Sequence, residues 1–311
     1  MPKLSLFIVG LPRSGTKLLR ELLNNHDQIF IPSIEAYFIP HLVQKYEDKL
    51  LSLDEVNDVI TEIKKSLFFF YYRESFNFGK LVKEETTVKK LIGEIWQKLA
   101  MEKENKDIRI LGDKTPRNIY HIQFLLNSFP KAKIIHIVRD PRDNVLSAKK
   151  TWGKNIFRAA YKWQQGINKV NEVGENRKRL IEISYEDLLR DTEIVLRRLC
   201  TFIGINYQEG ISKLYRKVED REGIIDENNY NKYLDEMSAD EIKYIEGLTK
   251  KGIQKYNYYL NYKDVNFINS PPPMQLHWWK LQDIMSLVRY NIKEHGPLRG
   301  IKKILKARKH A

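Results

Sequence analysis

The stretch LSLFIVGLPRSGTKLLRELL, residues 4–23, constrains this chain more than any other. Leu4 to Val9 is apolar and β-favouring and reads as a buried strand. From Thr16 to Asn25 the apolar residues Leu18, Leu19, Leu22 and Leu23 share one face of a helix. Between the two lies GLPRSGTK, Gly10 to Lys17. Glycines let a backbone fold tightly around an anion, and a helix N-terminus adds N–H groups and the positive end of its dipole. The spacing of Gly10 and Gly15 is that of the Walker phosphate loop, G-x-x-x-x-G-K-[ST], but Thr16 and Lys17 stand transposed. In a nucleotide triphosphatase the lysine reaches the β- and γ-phosphates and the adjacent hydroxyl holds Mg2+. Here the hydroxyl comes first, and Arg13, a fixed cationic fork suited to a multi-oxygen anion, sits inside the loop. Asp140 lies two residues past an apolar run, beside Arg139, a poor position for a metal-holding aspartate. The loop therefore reads as a cradle for a phosphate-like anion without a required metal, using the N–H groups of Ser14, Gly15, Thr16 and Lys17.

The pattern of the remaining chain is α/β. Ile108 to Leu111 reads as a short strand, Arg117 to Ser128 as a helix that Pro130 ends, and Lys133 to Val138 as a buried strand. A helix follows over about 142–151, then a polar aromatic helical segment, WGKNIFRAAYKWQQG. Arg179 to Ser184 is a further strand, and the helix from Thr192 to Ile203 stops at Gly204. Ser238 and Glu241 form a capping box that opens another helix. Strands alternating with helices imply right-handed crossovers, so we expect a P-loop-like three-layer fold with a central parallel sheet flanked by helices. Residues 41–105 read as helices of mixed character, with the aromatic cluster Phe68 to Tyr72 as core or the wall of a substrate cleft. The proline run Pro271 to Pro273 is the clear linker signal. It suggests one domain over 1–265, then a Pro-containing linker and basic amphipathic tail over 266–311.

Charge narrows the partners. The chain carries 54 Lys and Arg against 40 Asp and Glu, a formal net charge of +14, which favours anionic ligands. Residues 275–311 hold nine Lys/Arg against two acids, Asp283 and Glu294. No zinc-finger, RNA-recognition or helix-turn-helix signature accompanies that charge, so nucleic acid is not an expected partner. The one cysteine, Cys200, excludes intrachain disulfides, suits a reducing cytoplasm and, inside LRRLCTFIG, reads as a buried inert thiol. No run approaches the roughly 18 apolar residues of a bilayer span, and KLSLFIVG is too short for a secretory signal. The tail has two readings: a docked helix with a solvated basic end, or a binding element, for peripheral attachment to anionic lipid or for capture of an anionic or lipid-linked acceptor.

Three blocks in order, VGLPRSGTKLLRELL, LGDKTPRN and FPKAKIIHIVRDPRDNVLSA, with a looser fourth, ISYEDLLRDTEIVLRRLCTFIGI, resemble the sulfotransferases that use 3′-phosphoadenosine 5′-phosphosulfate (PAPS). The resemblance spans about Leu4 to Leu260 and points to the group that includes bacterial, tyrosylprotein and carbohydrate sulfotransferases. It implies that Arg13, Ser14, Gly15, Thr16 and Lys17 hold the 5′-phosphosulfate, with Lys17 standing where Thr or Ser is common. It implies a 3′-phosphate site at Arg139, at the end of a strand, and Ser147, eight residues on in the next helix. Lys114 corresponds to a lysine that approaches the transferring sulfuryl group. Tyr185 matches a tyrosine near the adenine or phosphate, and also reads as a helix-start or core residue. Glu35, the only acid between Asp27 and Glu47, is the candidate general base or else a plain surface carboxylate. His41 and His121 are poorer candidates. The resemblance implies sulfuryl transfer to a hydroxyl or amine of a carbohydrate or glycolipid, leaving adenosine 3′,5′-bisphosphate, with no metal required. The alternatives are a P-loop nucleotide or small-molecule kinase and a catalytically silent anion- or membrane-binding protein.

Overall fold

The computed structural model describes residues 4–75, 86–102, 107–213 and 225–296. The basic end at 297–311 lies outside the described residues. The strands are β1 (Leu4–Val9), β2 (Ile29–Phe30), β3 (Ile110–Lys114), β4 (Lys133–Val138) and β5 (Leu180–Ser184). The helices run in chain order as α1 (Thr16–Asn24), α2 (Phe38–Tyr46), α3 (Leu53–Lys65), α4 (Leu67–Tyr72), α5 (Val88–Met101), α6 (Ile122–Ser128) and α7 (Pro141–Trp152). They continue as α8 (Ile156–Asn171), α9 (Tyr185–Arg190), α10 (Thr192–Ile203), α11 (Tyr233–Glu236), α12 (Ala239–Lys255) and α13 (Pro273–His295). The chain divides into two compact units, one of residues 1–10, 15–138 and 172–226, the other of residues 11–14, 139–171 and 227–311.

The first unit holds the sheet, five strands in the order β2-β3-β1-β4-β5 with every neighbouring pair parallel. In β1, Leu6 and Ile8 point to one side and Phe7 and Val9 to the other, and all four are fully buried. Such a strand is covered on both faces, as parallel sheets require. Helices α1 and α5 pack on β1 and β3, and α6 packs on β4. This is the expected P-loop-like α/β fold. The leucines of α1 supply its core face, since Leu19, Leu22 and Leu23 have no exposure. The aromatic cluster divides: Phe68 stacks on Trp96 with centroids 5.0 Å apart, while Phe70 and Tyr71 are exposed. Cys200 is buried, and burial pushes its thiol up to about 11, so it is inert at neutral pH.

Two boundaries differ from expectation. The strand expected over 108–111 lies over Ile110–Lys114, because Gly112, Asp113 and Lys114 pair with Leu6, Phe7 and Ile8 of β1 despite their non-strand character. The helix expected over 117–128 is a 3-10 segment, Pro116–His121, followed by α6; the backbone of His121, at φ −118° and ψ 14°, separates them.

In the second unit α7 begins at an Asp140 N-cap, whose carboxylate accepts the N–H of Arg142 at 2.8 Å. Helix α8 packs on α7, and α12 packs on α8. Arg142 is 1% exposed and bridges Asp140 and Glu246, at 2.5 Å from each. Glu246 has no exposure and also accepts the N–H groups of Asn261 (2.9 Å) and Tyr262 (3.0 Å). The helix start expected at Ser238 is α12, with both bonds of the capping box formed.

Candidate active site

Two groups of the expected residues come together, one in each unit. In the sheet unit, Gly10 and Gly15 are required by geometry. A Cβ on Gly10 would stand 2.5 Å from the carbonyl oxygen of Ile137. Gly15 has φ 91°, and a Cβ there would meet the Tyr185 ring at 2.3 Å. Tyr185 is buried, and Ser184 caps the helix that it opens. Tyr185 thus starts a helix and packs its ring on the glycine of the loop, as its helix-start and core reading expects. Helix α1 begins at Thr16, with no side-chain cap and no acid in its first turn. Its first N–H groups lack partners within the helix, and its dipole favours an anion there. Lys17 is exposed at this end and Thr16 is buried.

Lys114, the last residue of β3, donates from Nζ to Oε1 of Glu35 at 2.7 Å. Lys114 is 6% exposed and Glu35 27%, so the pair is partly shielded and its carboxylate remains reachable. The sequence around it explains the placement. Arg20 on α1 donates to the carbonyl oxygen of Ser33 at 2.5 Å, and Asn24 donates to that of Ile31 at 2.8 Å, fixing the loop that carries Glu35. The N–H of Ala36 donates to Thr115 Oγ1 at 3.0 Å. Thr115 Oγ1 donates in turn to Asp113 at 3.1 Å, and Asn118 Nδ2 donates to the other carboxylate oxygen at 3.1 Å. Burial pushes the Asp113 carboxyl up to about 7, against the lowering effect of Thr115 and Lys114. The hydroxyl of Tyr37 donates to Oε2 of Glu35, so both oxygens of the candidate base have a donor. His41 and His121 are exposed and take no part in this cluster.

In the second unit Arg13 is the hub. Its Nε donates to Ser147 Oγ at 3.0 Å, and its guanidinium lies 5.5 Å from the centre of the Trp152 ring. Its backbone is left-handed, at φ 74°. Arg139 directly follows β4, is 6% exposed, and donates to the carbonyl oxygens of Arg13 (3.2 Å) and Asn229 (3.0 Å). Arg13 thus joins the two residues expected at a phosphate site. Ser147 lies one helical turn from Asp143 and on the same face of α7.

Sequence reasoning missed the groups that hold this arrangement. Asn144 Nδ2 donates to the carbonyl oxygen of Pro12 and to Ser14 Oγ, both at 3.0 Å. Asp143 accepts the N–H groups of Asn231 at 2.5 Å and Tyr233 at 3.1 Å, which fixes the segment that presents the Asn229 carbonyl. Trp163 Nε1 donates to the carbonyl oxygen of Arg139 at 3.1 Å. The available signal was RDPRDN itself, where Asp143 and Asn144 follow Arg142 in the first turn of α7 and are buried with it.

Comparison with known proteins bears on the fold and the family. A sulfotransferase domain from the olefin synthase of Synechococcus PCC 7002 shares the fold at a TM-score of 0.56 and 22% identity, over 83% of this chain and 96% of that one. An uncharacterized protein of Aquifex aeolicus is 24% identical over 225 residues, 69% of this chain and 27% of its own length. Protein-tyrosine sulfotransferase 2 of Gallus gallus is 24% identical over 225 residues, 66% of this chain and 52% of its own. The chain therefore spans about a quarter to a half of the curated relatives it matches. The sulfotransferase family model matches residues 5–209, which include both glycines of the loop, the Glu35–Lys114 pair and Arg139 with Ser147, and the chain belongs to that family.

Proposed function

We propose that this protein transfers a sulfuryl group from PAPS to a hydroxyl or amine of an acceptor, a carbohydrate or glycolipid in the reading we favour. The observation that carries this is the 2.7 Å pair between Lys114 and Glu35, a cation and a carboxylate held together by β3 and the loop between β2 and α2. The donor-binding chemistry fits as well: Arg13, Lys17, Lys114 and Arg139 supply cations, and Ser14, Thr16 and Ser147 supply hydroxyls. PAPS supplies the sulfuryl group on a phosphosulfate linkage whose cleavage leaves adenosine 3′,5′-bisphosphate. In this reading residues 13–17 hold the phosphosulfate, Arg139 and Ser147 hold the 3′-phosphate, and Tyr185 keeps the loop in shape through Gly15.

Glu35 takes the proton of the acceptor hydroxyl, a general-base role worth roughly 10² to 10⁴ in rate. Lys114 and Arg13 are fixed donors for oxygens that gain charge in the transition state, worth about 2.7–4 kcal/mol each. In the resting pair Lys114 occupies Oε1 of Glu35; a Lys114 drawn to an anionic oxygen releases that oxygen for the proton. Three buried or half-buried cations carry the anionic charge in this reading, so no metal ion is called on. A peptide tyrosine is the second acceptor class, favoured by the tyrosine-sulfotransferase relative.

Calorimetry tests the donor before any acceptor is known. Adenosine 3′,5′-bisphosphate is expected to bind without metal and more tightly than ATP with Mg2+; the reverse order would establish the kinase reading instead. Transfer of labelled sulfate from PAPS to a panel of saccharides, glycolipids and tyrosine peptides then identifies the acceptor. Glu35→Ala is expected to abolish transfer and spare bisphosphate binding, and near-normal transfer in that variant would remove Glu35 as the base.

A further inference from the structure

Helix α13 is docked by one face only. Trp279 is buried and packs on Phe157 of α8 and Tyr244 of α12, with centroids 5.7 and 6.3 Å apart. Asp283, also buried, accepts the N–H of Asn155 at 2.8 Å and pairs with the guanidinium of Arg158. The opposite face carries Met274, Trp278, Leu281 and Met285, exposed by 87%, 57%, 40% and 47%. Their spacing, i, i+4, i+7 and i+11, makes one straight stripe along the helix, which Val288 and Ile292 continue half-buried. Single exposed apolar residues are ordinary, but a contiguous row of large ones marks an interaction surface.

The flanks of the stripe are cationic. Helical phase puts Arg289 and Lys293 on one side and His277 and Lys280 on the other, all exposed. On the second side a groove of about 370 Å³ opens between α8 and α13, lined by His277 and Lys280 together with Arg158, Tyr161 and Lys162. After α13 the sequence adds six more Lys/Arg and no acid.

We propose that α13 is a membrane-surface element, its apolar stripe seated in the interface of an anionic lipid bilayer and its flanking cations on the headgroups. Charge selects this occupant. Residues 275–311 carry nine cations against two acids, so a second copy of the same face would bring two strongly positive segments together. An anionic bilayer complements them. Long Lys and Arg stems lie along an apolar boundary while their charges reach the headgroups, and a tryptophan ring favours that same boundary. The groove beside Lys280 offers a place for a headgroup anion. No described helix is long and apolar enough to cross a membrane, so the contact is with one leaflet.

The test uses the full chain without donor or acceptor, so its outcome is separate from that of the sulfuryl-transfer reading. Flotation is measured with vesicles of phosphatidylcholine alone and of phosphatidylcholine with phosphatidylglycerol, with inorganic phosphate as competitor. The protein is expected to float with anionic vesicles only, and phosphate in place of other salt at equal ionic strength is expected to leave binding unchanged. Brominated lipid is expected to quench Trp278 fluorescence, and Trp278→Phe to abolish that quenching. Joint Met274→Gln, Leu281→Gln and Met285→Gln substitution is expected to abolish flotation. Joint Lys280→Gln, Arg289→Gln and Lys293→Gln substitution is expected to weaken it on the order of a hundredfold. The proposal is overturned by absence of anionic-vesicle binding, by quenching that survives Trp278→Phe, or by flotation that survives the stripe substitutions. It is also overturned by a dimer in sedimentation that the stripe substitutions dissociate, which would make the stripe a contact between copies.

Discussion

Gly15→Ala is the sharpest test of the loop geometry. Gly15 sits at φ 91°, in the left-handed region, where a non-glycine residue costs about 1–2 kcal/mol. Its added Cβ would fall 2.3 and 2.7 Å from two carbons of the Tyr185 ring. That ring belongs to a buried residue at the start of α9 and has little room to retreat, so overpacking adds about 1–3 kcal/mol. The expected destabilisation is therefore about 2–5 kcal/mol, read as a fall in the urea midpoint of unfolding. Tyr185→Ala alone empties a buried aromatic site and costs about 3–5 kcal/mol. The double variant removes the clash but not the backbone strain, so its cost is expected to fall short of the sum by about 1–3 kcal/mol. Gly15→Ala within about 0.5 kcal/mol of the native protein, a typical surface-substitution effect, would refute the geometry. Strict additivity in the cycle would refute the ring contact specifically. Because α1 begins at the same point, Gly15→Ala is also expected to weaken binding of adenosine 3′,5′-bisphosphate.

Arg139→Ala removes a cation bonded to two carbonyls and is expected to weaken bisphosphate binding by about 1.5–3 kcal/mol in calorimetry. Lys at that position is expected to restore only part of it, since a point charge lacks the fork. Asp113 gives a pH signature. Its carboxyl is held near 7 in the folded chain and titrates near the ordinary aspartate value when unfolded, so the folded state binds more protons between those values. Its contribution to stability is present at low pH and is lost as pH rises toward neutrality; Asp113→Asn is expected to flatten that part of the urea-midpoint profile from pH 4 to 8, and an unchanged slope would count against the shift. Glu246→Ala leaves the buried guanidinium of Arg142 with one carboxylate in place of two, and is expected to cost about 3–5 kcal/mol in thermal or urea unfolding.

The parts of this fold legible in the sequence are those with local causes. The β1–loop–α1 unit follows from an apolar strand, two spaced glycines and four leucines on one helix face. The KIIHIV strand and the Gly204 stop, at φ 93°, are local in the same way. What the sequence hid is set by distant partners. Gly112, Asp113 and Lys114 become strand residues only because β1 lies alongside them. The two-residue β2 is held by pairing with Ile110 and Leu111, with no pattern of its own. At the candidate site, Arg139, Ser147, Glu35 and Lys114 were nameable from motif and order. Asn144 and Asp143 were not, because each acts on backbone about 90 or more residues away. Trp278 and Trp279 make the same point at one remove: they are adjacent and identical, and helical phase alone sends one to water and the other to the core.

The bridge from Arg142 through Glu246 to the backbone of residues 261 and 262 sets a practical boundary. The family match ends at residue 209, a natural place to cut an expression fragment. Such a fragment would keep Arg142 while discarding Glu246 and the helix that carries it. A fragment that folds must therefore reach past Tyr262, well outside the stretch by which the family is recognised.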